Sequence, residues 1–508
     1  MVSTSVEGPI ESPTLQVVGL ALVFLTPGLL IASAIEWAST TSHDEWALLA
    51  TAAIAFVVGT ALRRVSRLGP DVRAVSVFSI VAWSWIACSL VGALPYVFGS
   101  MFTWSTFDSA LFESISGFSC TGSTVLTDIE AHGRGVLMWR QMTQWYGGMG
   151  MVVLAVTVLP YLGVGGLALM TAEAPGHSSD RLAPRVSETA RRLWTIYCGI
   201  TVVVALALWA APGPNLHDAV AHALTTAATG GFSPYNSSAG HFDSLLVELI
   251  LVTGMVVCGM SFALHYRVLT GDRFAWFRAA DTRLYLWTIA IATAIVTLLN
   301  WGQDLAPFGV SLRDSLFNVV TLATSTGFGN VRPDGIGDFV LWGAASQLIL
   351  LGIMVVGGCV GSTAGGAKGY RVLIGWRHVR RELRRLRHPN GVFPVKLGAQ
   401  VVPETIVASA LAFVGLFASI LIIGTLAVTA TGAEPLMAAS GVISAMSNMG
   451  PALGEAGPTS NFTVFERPAR MILAVIMLIG RLEITAVLLM FASSARAVRD
   501  LRRSRAHV

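Results

Sequence analysis

The chain has 508 residues, of which 54% are hydrophobic and only 12% charged, with a formal net charge of +4. Ordinary soluble domains are roughly 25% charged, so the composition excludes a soluble enzyme, a disordered protein and a secreted disulfide scaffold. What remains is a polytopic membrane protein, which the apolar spans below lead us to expect to be all-α. The five cysteines form no CxxC pair and lie mostly in apolar stretches, which reads as small buried hydrophobes rather than a disulfide or zinc framework. The basic residues cluster between apolar spans and form no stacking face, so no nucleic-acid partner is expected.

The N-terminal MVSTSVEGPIESP lacks a basic region before the first apolar stretch, so that stretch is expected to be a retained helix rather than a signal peptide. A spanning helix needs ~20 mostly apolar residues. About ten transmembrane helices are expected, near 14–36, 45–62, 73–99, 134–163, 191–212, 244–268, 283–302, 338–360, 403–430 and 468–495. Of the 33 Lys and Arg, 26 fall on the side reached by the even-numbered spans. The positive-inside rule then places both termini in the cytoplasm.

Four connections on the other side share a pattern: residues 107–126, 216–236, 312–333 and 434–458. Each has a helix-compatible stretch too short to span, then small or hydroxylated residues, then glycine, and reads as a re-entrant helix and loop. Their matching text is Cys120-Thr121-Gly122, Thr229-Gly230-Gly231-Phe232, Ser325-Thr326-Gly327-Phe328 and Asn448-Met449-Gly450. One glycine per loop (122, 231, 327 and 450) recurs at spacings of 109, 96 and 123 residues. Four such units suggest a pseudo-fourfold ring. Irregular backbone at membrane depth survives only when buried or lining a water-filled cavity. Carbonyls around a common axis replace the hydration shell of a monovalent cation, and the helix C-terminal ends favour it too.

The eighth apolar stretch runs on for ~40 residues, about twice a span, and is interrupted by Gly357, Gly358, Gly361, Gly365, Gly366 and Gly369. It reads as a discontinuous span with a flexible loop, and it lacks the Gly-Lys-Ser/Thr ending of a phosphate-binding loop. The segment 371–388 holds seven Arg and suits anionic lipid or an acidic partner. Arg481 lies deep in the last span, where a charge is costly and faces a cavity or a partner. Arg140 is expected to brace a pore loop from behind. Glu113, Asp218, Asp314 and Glu434 read either as an acidic vestibule or as ordinary helix N-terminal carboxylates.

At these residues the sequence resembles the Trk/Ktr/HKT superfamily of potassium transporters, in its TrkH-like branch. The run from Trp139 to Gly150 (WRQMTQWYGGMG), the Gly361–Gly366 run GSTAGG followed by Ala367 and Lys368, and Gly480-Arg481-Leu482-Glu483-Ile484 carry it. The resemblance implies four M1–pore-loop–M2 repeats in a pseudo-fourfold ring plus two extra N-terminal helices. Residues 1–68 would hold those two helices, with repeats at 69–165, 166–270, 271–390 and 391–508. It implies a filter for K+ at Thr121, Gly122, Gly230, Gly231, Thr326, Gly327, Asn448, Met449 and Gly450. A Ser in the first loop goes with sodium preference in the family, so Gly in all four favours potassium. The loop with Gly361, Gly365 and Gly366 would be an intramembrane gate; Arg481 reads either as a positive charge lining the pore beside it or as a structural ion pair with Glu483 or another helix, and Lys368 either as a similar gate charge or as a cytoplasmic interfacial anchor. The resemblance further implies a cytosolic nucleotide-binding regulatory subunit of the RCK type, a homodimer, and residence in a bacterial plasma membrane. Cys359, Ala367 and Pro451 depart from the family pattern. The alternative is a sodium- or proton-coupled cation symporter with weak K+/Na+ discrimination. An enzyme is not expected, because no nucleophile–base or metal constellation is present.

Overall fold

The computed structural model describes residues 10–39, 44–67, 74–157, 182–332, 335–397 and 400–482. The end of the expected fourth span, the tenth beyond Leu482, Glu483 and the C-terminal arginines lie outside these residues. Helices dominate, as they must where no water can satisfy a free backbone group. Among the described residues the strands are two-residue pairs, Ile10–Glu11 with Ser66–Arg67 and Lys396–Leu397 with Gln400–Val401.

Among the described residues six helices are long and apolar enough to cross a membrane: Pro13–Ala38, Glu45–Val65, Ser79–Phe98, Glu188–Ala210, Ala280–Gly302 and Glu404–Thr429. The expected span 244–268 is two helices, Leu245–Cys258 and Phe262–Leu269, bent by 96°. The break falls at Gly259, where an added Cβ would lie 2.4 Å from the Tyr285 hydroxyl. The expected span 338–360 stops after the 13 residues Ala344–Val356, because Gly357 turns the chain at φ +67°. Helix Arg134–Thr157 has the length, but Arg140, Gln141 and Gln144 interrupt its apolar surface.

The described chain falls into two compact units, one built on residues up to Ile115 with His132–Trp139, the other on Ser116–Ala131 and Arg140–Arg481. In the first, α1 (Pro13–Ala38) crosses α2 (Glu45–Val65) at two glycines. A Cβ on Gly19 would lie 2.6 Å from the Gly59 carbonyl oxygen, and one on Gly59 2.7 Å from that of Gly19. Small residues let the two backbones approach this closely. Buried Glu36, near the end of α1, accepts from the amides of Gly135 and Val136, the favourable place for a carboxylate at a helix N-terminus. Trp139 donates its indole N–H to the Gly92 carbonyl at 3.1 Å.

Three of the four expected re-entrant helices lie in the second unit, α8 (Leu216–Ala228), α13 (Phe308–Ala323) and α17 (Pro435–Ser447), together with the end of the fourth, α5 (Phe107–Phe118). Intervening helices take the remaining labels in chain order: α3 Ala74–Gly92, α4 Leu94–Phe98, α6 Arg134–Thr157, α7 Leu182–Ala210, α9 Leu245–Cys258, α10 Phe262–Leu269, α11 Ala275–Arg278, α12 Ala280–Gly302, α14 Ala344–Val356, α15 Gly369–Arg387, α16 Glu404–Thr429 and α18 Arg467–Leu482. The four short helices have 12 to 16 residues, too few to span a bilayer. Unlike the spans they are buried almost all round; in α8 every residue from Ala221 to Ala228 is buried. A helix apolar or small on every face belongs inside a protein.

The α1–α2 crossing is open to a direct check. Gly59→Ala should cost about 1–3 kcal/mol through overpacking and lower the Tm of the purified protein in detergent. Gly199→Ala, whose added Cβ has nothing within 4 Å, should leave the Tm unchanged or raise it.

Candidate functional site

The four short helices end in one repeated backbone turn. Cys120, Thr229, Ser325 and Asn448 sit in the left-handed region at φ 55°, 52°, 55° and 52°. The next residue bonds back across the turn: Thr121 N to Ser116 O at 2.9 Å, Gly230 N to Thr225 O at 2.9 Å, Thr326 N to Thr321 O at 2.8 Å, Met449 N to Ser444 O at 2.9 Å. This is the Schellman closure of a helix C-terminus. A second positive φ follows one residue later, at Gly122 (88°), Gly231 (79°), Gly327 (80°) and Gly450 (99°). The left-handed region costs a non-glycine residue roughly 1–2 kcal/mol, so the surrounding contacts must hold each turn in place.

Those glycines close a ring. A Cβ on Gly122 would lie 2.2 Å from the Gly230 carbonyl oxygen, one on Gly231 2.0 Å from Thr326 O, one on Gly327 1.9 Å from Met449 O, and one on Gly450 2.9 Å from Thr121 O. Each glycine thus abuts the carbonyl that precedes the next loop's glycine, and the fourth returns to the first. Ser123 donates to the Gly450 carbonyl at 2.8 Å, and Asn448 donates to the Thr121 hydroxyl at 3.0 Å. Pro451 packs beside Gly327, its Cδ 3.0 Å from the position of an added Cβ. All four glycines face a common cavity of about 90 Å³, whose other walls include Ser123, Ser233, Tyr235, Asn236 and Arg140. Its volume and polar walls suit several waters. Arg140, buried, donates to Ser233 O at 3.0 Å and lies 3.5 Å over the Phe232 ring, so it braces the second loop.

The glycine-rich loop after α14 packs against the ends of the short helices. Gly365 N donates to the Ser325 hydroxyl, Thr363 donates to Ala227 O at 3.1 Å, and a Cβ on Gly365 would lie 2.0 Å from Ser447 O. On its other flank the loop bonds the break in the α9–α10 span: Cys359 N to Gly259 O and Phe262 N to Gly361 O, both at 3.0 Å. Asp281 at the start of α12 accepts from Val360 N at 2.8 Å. Lys368 donates to Ala364 O and opens α15 at φ +67°. Arg481, 2% exposed, donates to Thr363 O at 2.9 Å, Gly147 O at 3.0 Å and the Cys120 sulfur at 3.1 Å. Among the described residues it makes no ion pair, and its partners are neutral.

The candidate residues therefore gather in two places. Thr121, Gly122, Gly230, Gly231, Thr326, Gly327, Asn448, Met449 and Gly450 form the ring; Gly361, Gly365, Gly366, Lys368 and Arg481 belong to the loop and its anchor. Three of the four acidic residues hold helix ends or an ion pair. Asp314 makes a bidentate pair with Arg332 at 2.8 and 2.9 Å. Burial alone lowers the Arg332 pKa, and the Asp314 carboxylate reverses this, leaving it above the ordinary arginine value. Glu434 caps α17, and Asp218 forms a capping box with Asn215 at the start of α8. Glu113 is buried in α5. Among the described residues no group of three His, Cys, Asp or Glu could hold a metal.

Two features escaped the sequence reading. One is the left-handed position two residues before each ring glycine, whose signal was the shared offset of small polar residues. The other is Gln144, which the Trp139–Gly150 run contains without revealing a role.

The TrkH family profile, described as a cation transport protein, matches residues 46–499. The Trk system potassium uptake protein TrkH of Escherichia coli (strain K12) is 38% identical over 417 residues, covering 82% of this chain and 84% of that protein. The TrkH of Halomonas elongata is 39% identical over 416 residues with the same coverages. The crystal structure of the potassium transporter TrkH from Vibrio parahaemolyticus aligns with a TM-score of 0.85 at 29% identity, covering 94% of this chain and 97% of that one.

Ring closure predicts the effect of one added carbon. Gly327→Ala places a Cβ 1.9 Å from Met449 O at a positive φ; it should destabilise by about 2–4 kcal/mol from overpacking and backbone strain together. Gly352→Ala, with nothing within 4 Å, is the control. Thermal melting of both variants checks this.

Proposed function

The chain belongs to the TrkH family of cation transport proteins, and from that premise we propose that it takes up potassium through the glycine ring, with the glycine-rich loop as its gate. The family places it among multi-pass membrane transporters, not enzymes. The observation that carries the finer reading is the closed circuit of four glycines, each against the next loop's carbonyl. A monovalent cation sheds its water where carbonyl oxygens replace the hydration shell. The four short helices end three or four residues before the ring glycines, so their negative C-terminal ends converge on the same place. Glycine at all four positions supports potassium over sodium. Membrane potential alone drives entry, at ~2.3 kcal/mol per charge per 100 mV.

In this reading the loop 357–368 blocks the path below the ring until its bonds to the short-helix ends and to Arg481 release. The positive charge of Arg481 adds an electrostatic barrier beside the steric one. The chain divides into two extra N-terminal helices, 1–68, and four repeats, 69–165, 166–270, 271–390 and 391–508. It resides in a bacterial plasma membrane with both termini cytoplasmic, supported by the distribution of basic residues. Two such chains pair as a homodimer and bind a cytosolic nucleotide-binding regulatory subunit. The relatives' description as parts of a Trk system supports a partner. Helix α15 supports an anionic lipid contact: Arg380, Arg384, Arg385 and Arg387 stand beside exposed Leu383 and Leu386.

Rubidium and sodium uptake by proteoliposomes, with the regulatory subunit supplied, tests this. Wild-type rubidium flux should exceed sodium flux. Gly231→Ser should lower that ratio about tenfold, equivalent to ~1.4 kcal/mol, and Arg481→Ala should raise rubidium flux several-fold. Equal wild-type fluxes would remove the potassium assignment, and flux that needs an imposed proton or sodium gradient would favour a symporter.

A further inference from the structure

Gln144 on α6 is fully buried and turns both ends of its amide onto one loop. Its Nε2 donates to the Gly230 carbonyl at 2.6 Å, and its Oε1 accepts from Phe232 N at 3.0 Å. The side chain therefore grips the backbone on both sides of Gly231. Gly230 has no side chain because there is no room for one: a Cβ there would lie 2.4 Å from Gln144 Cδ. Among the described residues, no side chain bonds the backbone on both flanks of Gly122, Gly327 or Gly450. The amide also lies 3.7 Å from where a Cβ on Gly122 would sit, at the seam between the first and second loops.

We propose that Gln144 is a specificity-determining residue: by clamping the second loop it fixes the Gly230 carbonyl at a distance that suits potassium and resists collapse onto sodium. The proposal rests on the reading of the glycine ring as the filter. The argument is mechanical and electrostatic. A smaller cation is well bound only if the carbonyls close in around it. At 2.6 Å the N–H···O contact is a little shorter than the usual range for such bonds, and it holds the Gly230 oxygen back. The bond also uses one of that oxygen's two lone-pair directions, so the second loop offers a cation a weaker ligand than its three counterparts. Releasing the clamp should therefore raise sodium entry, whereas a merely structural defect would depress both ions together.

Two variants separate the donor from the acceptor. Gln144→Glu is nearly isosteric and keeps an oxygen for Phe232 N, but loses the donor to Gly230. Gln144→Leu loses both bonds. Paired rubidium and sodium uptake in proteoliposomes, beside wild type and Gly231→Ser, should show the rubidium-to-sodium ratio falling roughly three- to tenfold in each, the range of one hydrogen bond, through increased sodium flux. Thermal melting in potassium against sodium gives a second readout that needs no flux, because an ion that binds the folded state raises Tm. The potassium-specific rise should shrink in both variants. If Gly231→Ser loses discrimination while both Gln144 variants keep the wild-type ratio and the potassium-specific rise, the clamp plays no part in selectivity and the inference falls. A proportional loss of both fluxes with that rise intact would also overturn it. Absence of discrimination in wild type would instead remove the filter reading on which it stands.

Discussion

A missing carbon governs the centre of this molecule. At Gly122, Gly231, Gly327 and Gly450 the volume that a Cβ would fill is taken by a carbonyl group of the neighbouring loop. Glycine admits both that approach and the positive φ each position adopts. Four loops can then close into a circle tighter than any side chain permits. The short helices must stop where they do, because the circle needs their ends within a few residues of its glycines.

The glycine-rich loop repeats the same device from another direction. Gly365 lies against the Ser447 carbonyl as closely as the ring glycines lie against theirs. The loop thus meets the end of α17, bonds Ser325 beyond α13, and bonds Ala227 in α8. The turn residue of the remaining short helix, Cys120, meets Arg481, which in turn holds the loop at Thr363. The ring and the loop rest on the same four supports, so strain in one is felt by the other. A third set of bonds, through Gly259 and Phe262, joins the loop to the bend between α9 and α10.

Much of this was legible from the residues. Apolar runs located the helices, and four windows of matching text located the ring because glycine there is a backbone requirement. What stayed hidden depended on distant partners. The stretch 244–268 reads as one span, since a lone Gly259 does not announce a 96° bend; the Tyr285 hydroxyl and the Cys359 amide occupy that site from far along the chain. Gln144 meets Gly230 and Phe232 across 86 and 88 residues, a separation no local pattern encodes. The left-handed residues Cys120, Thr229, Ser325 and Asn448 share a conformation but not an identity, so comparing letters does not reveal them. The acidic residues carried an ambiguous role in the sequence; capping by Asp218 and Glu434 and the Asp314–Arg332 pair give three of them a structural task.

One chain supplies all four quarters of the circle, and the quarters differ. Gln144 grips one loop, Ser123 and Asn448 tie the first to the fourth, and Pro451 stiffens the last. In an assembly of identical subunits a single codon change alters every quarter at once. Here it alters one, so the ligand set can drift in small, separable steps. Such an arrangement lets a lineage adjust its central aperture gradually, without passing through an intermediate in which all four walls change together.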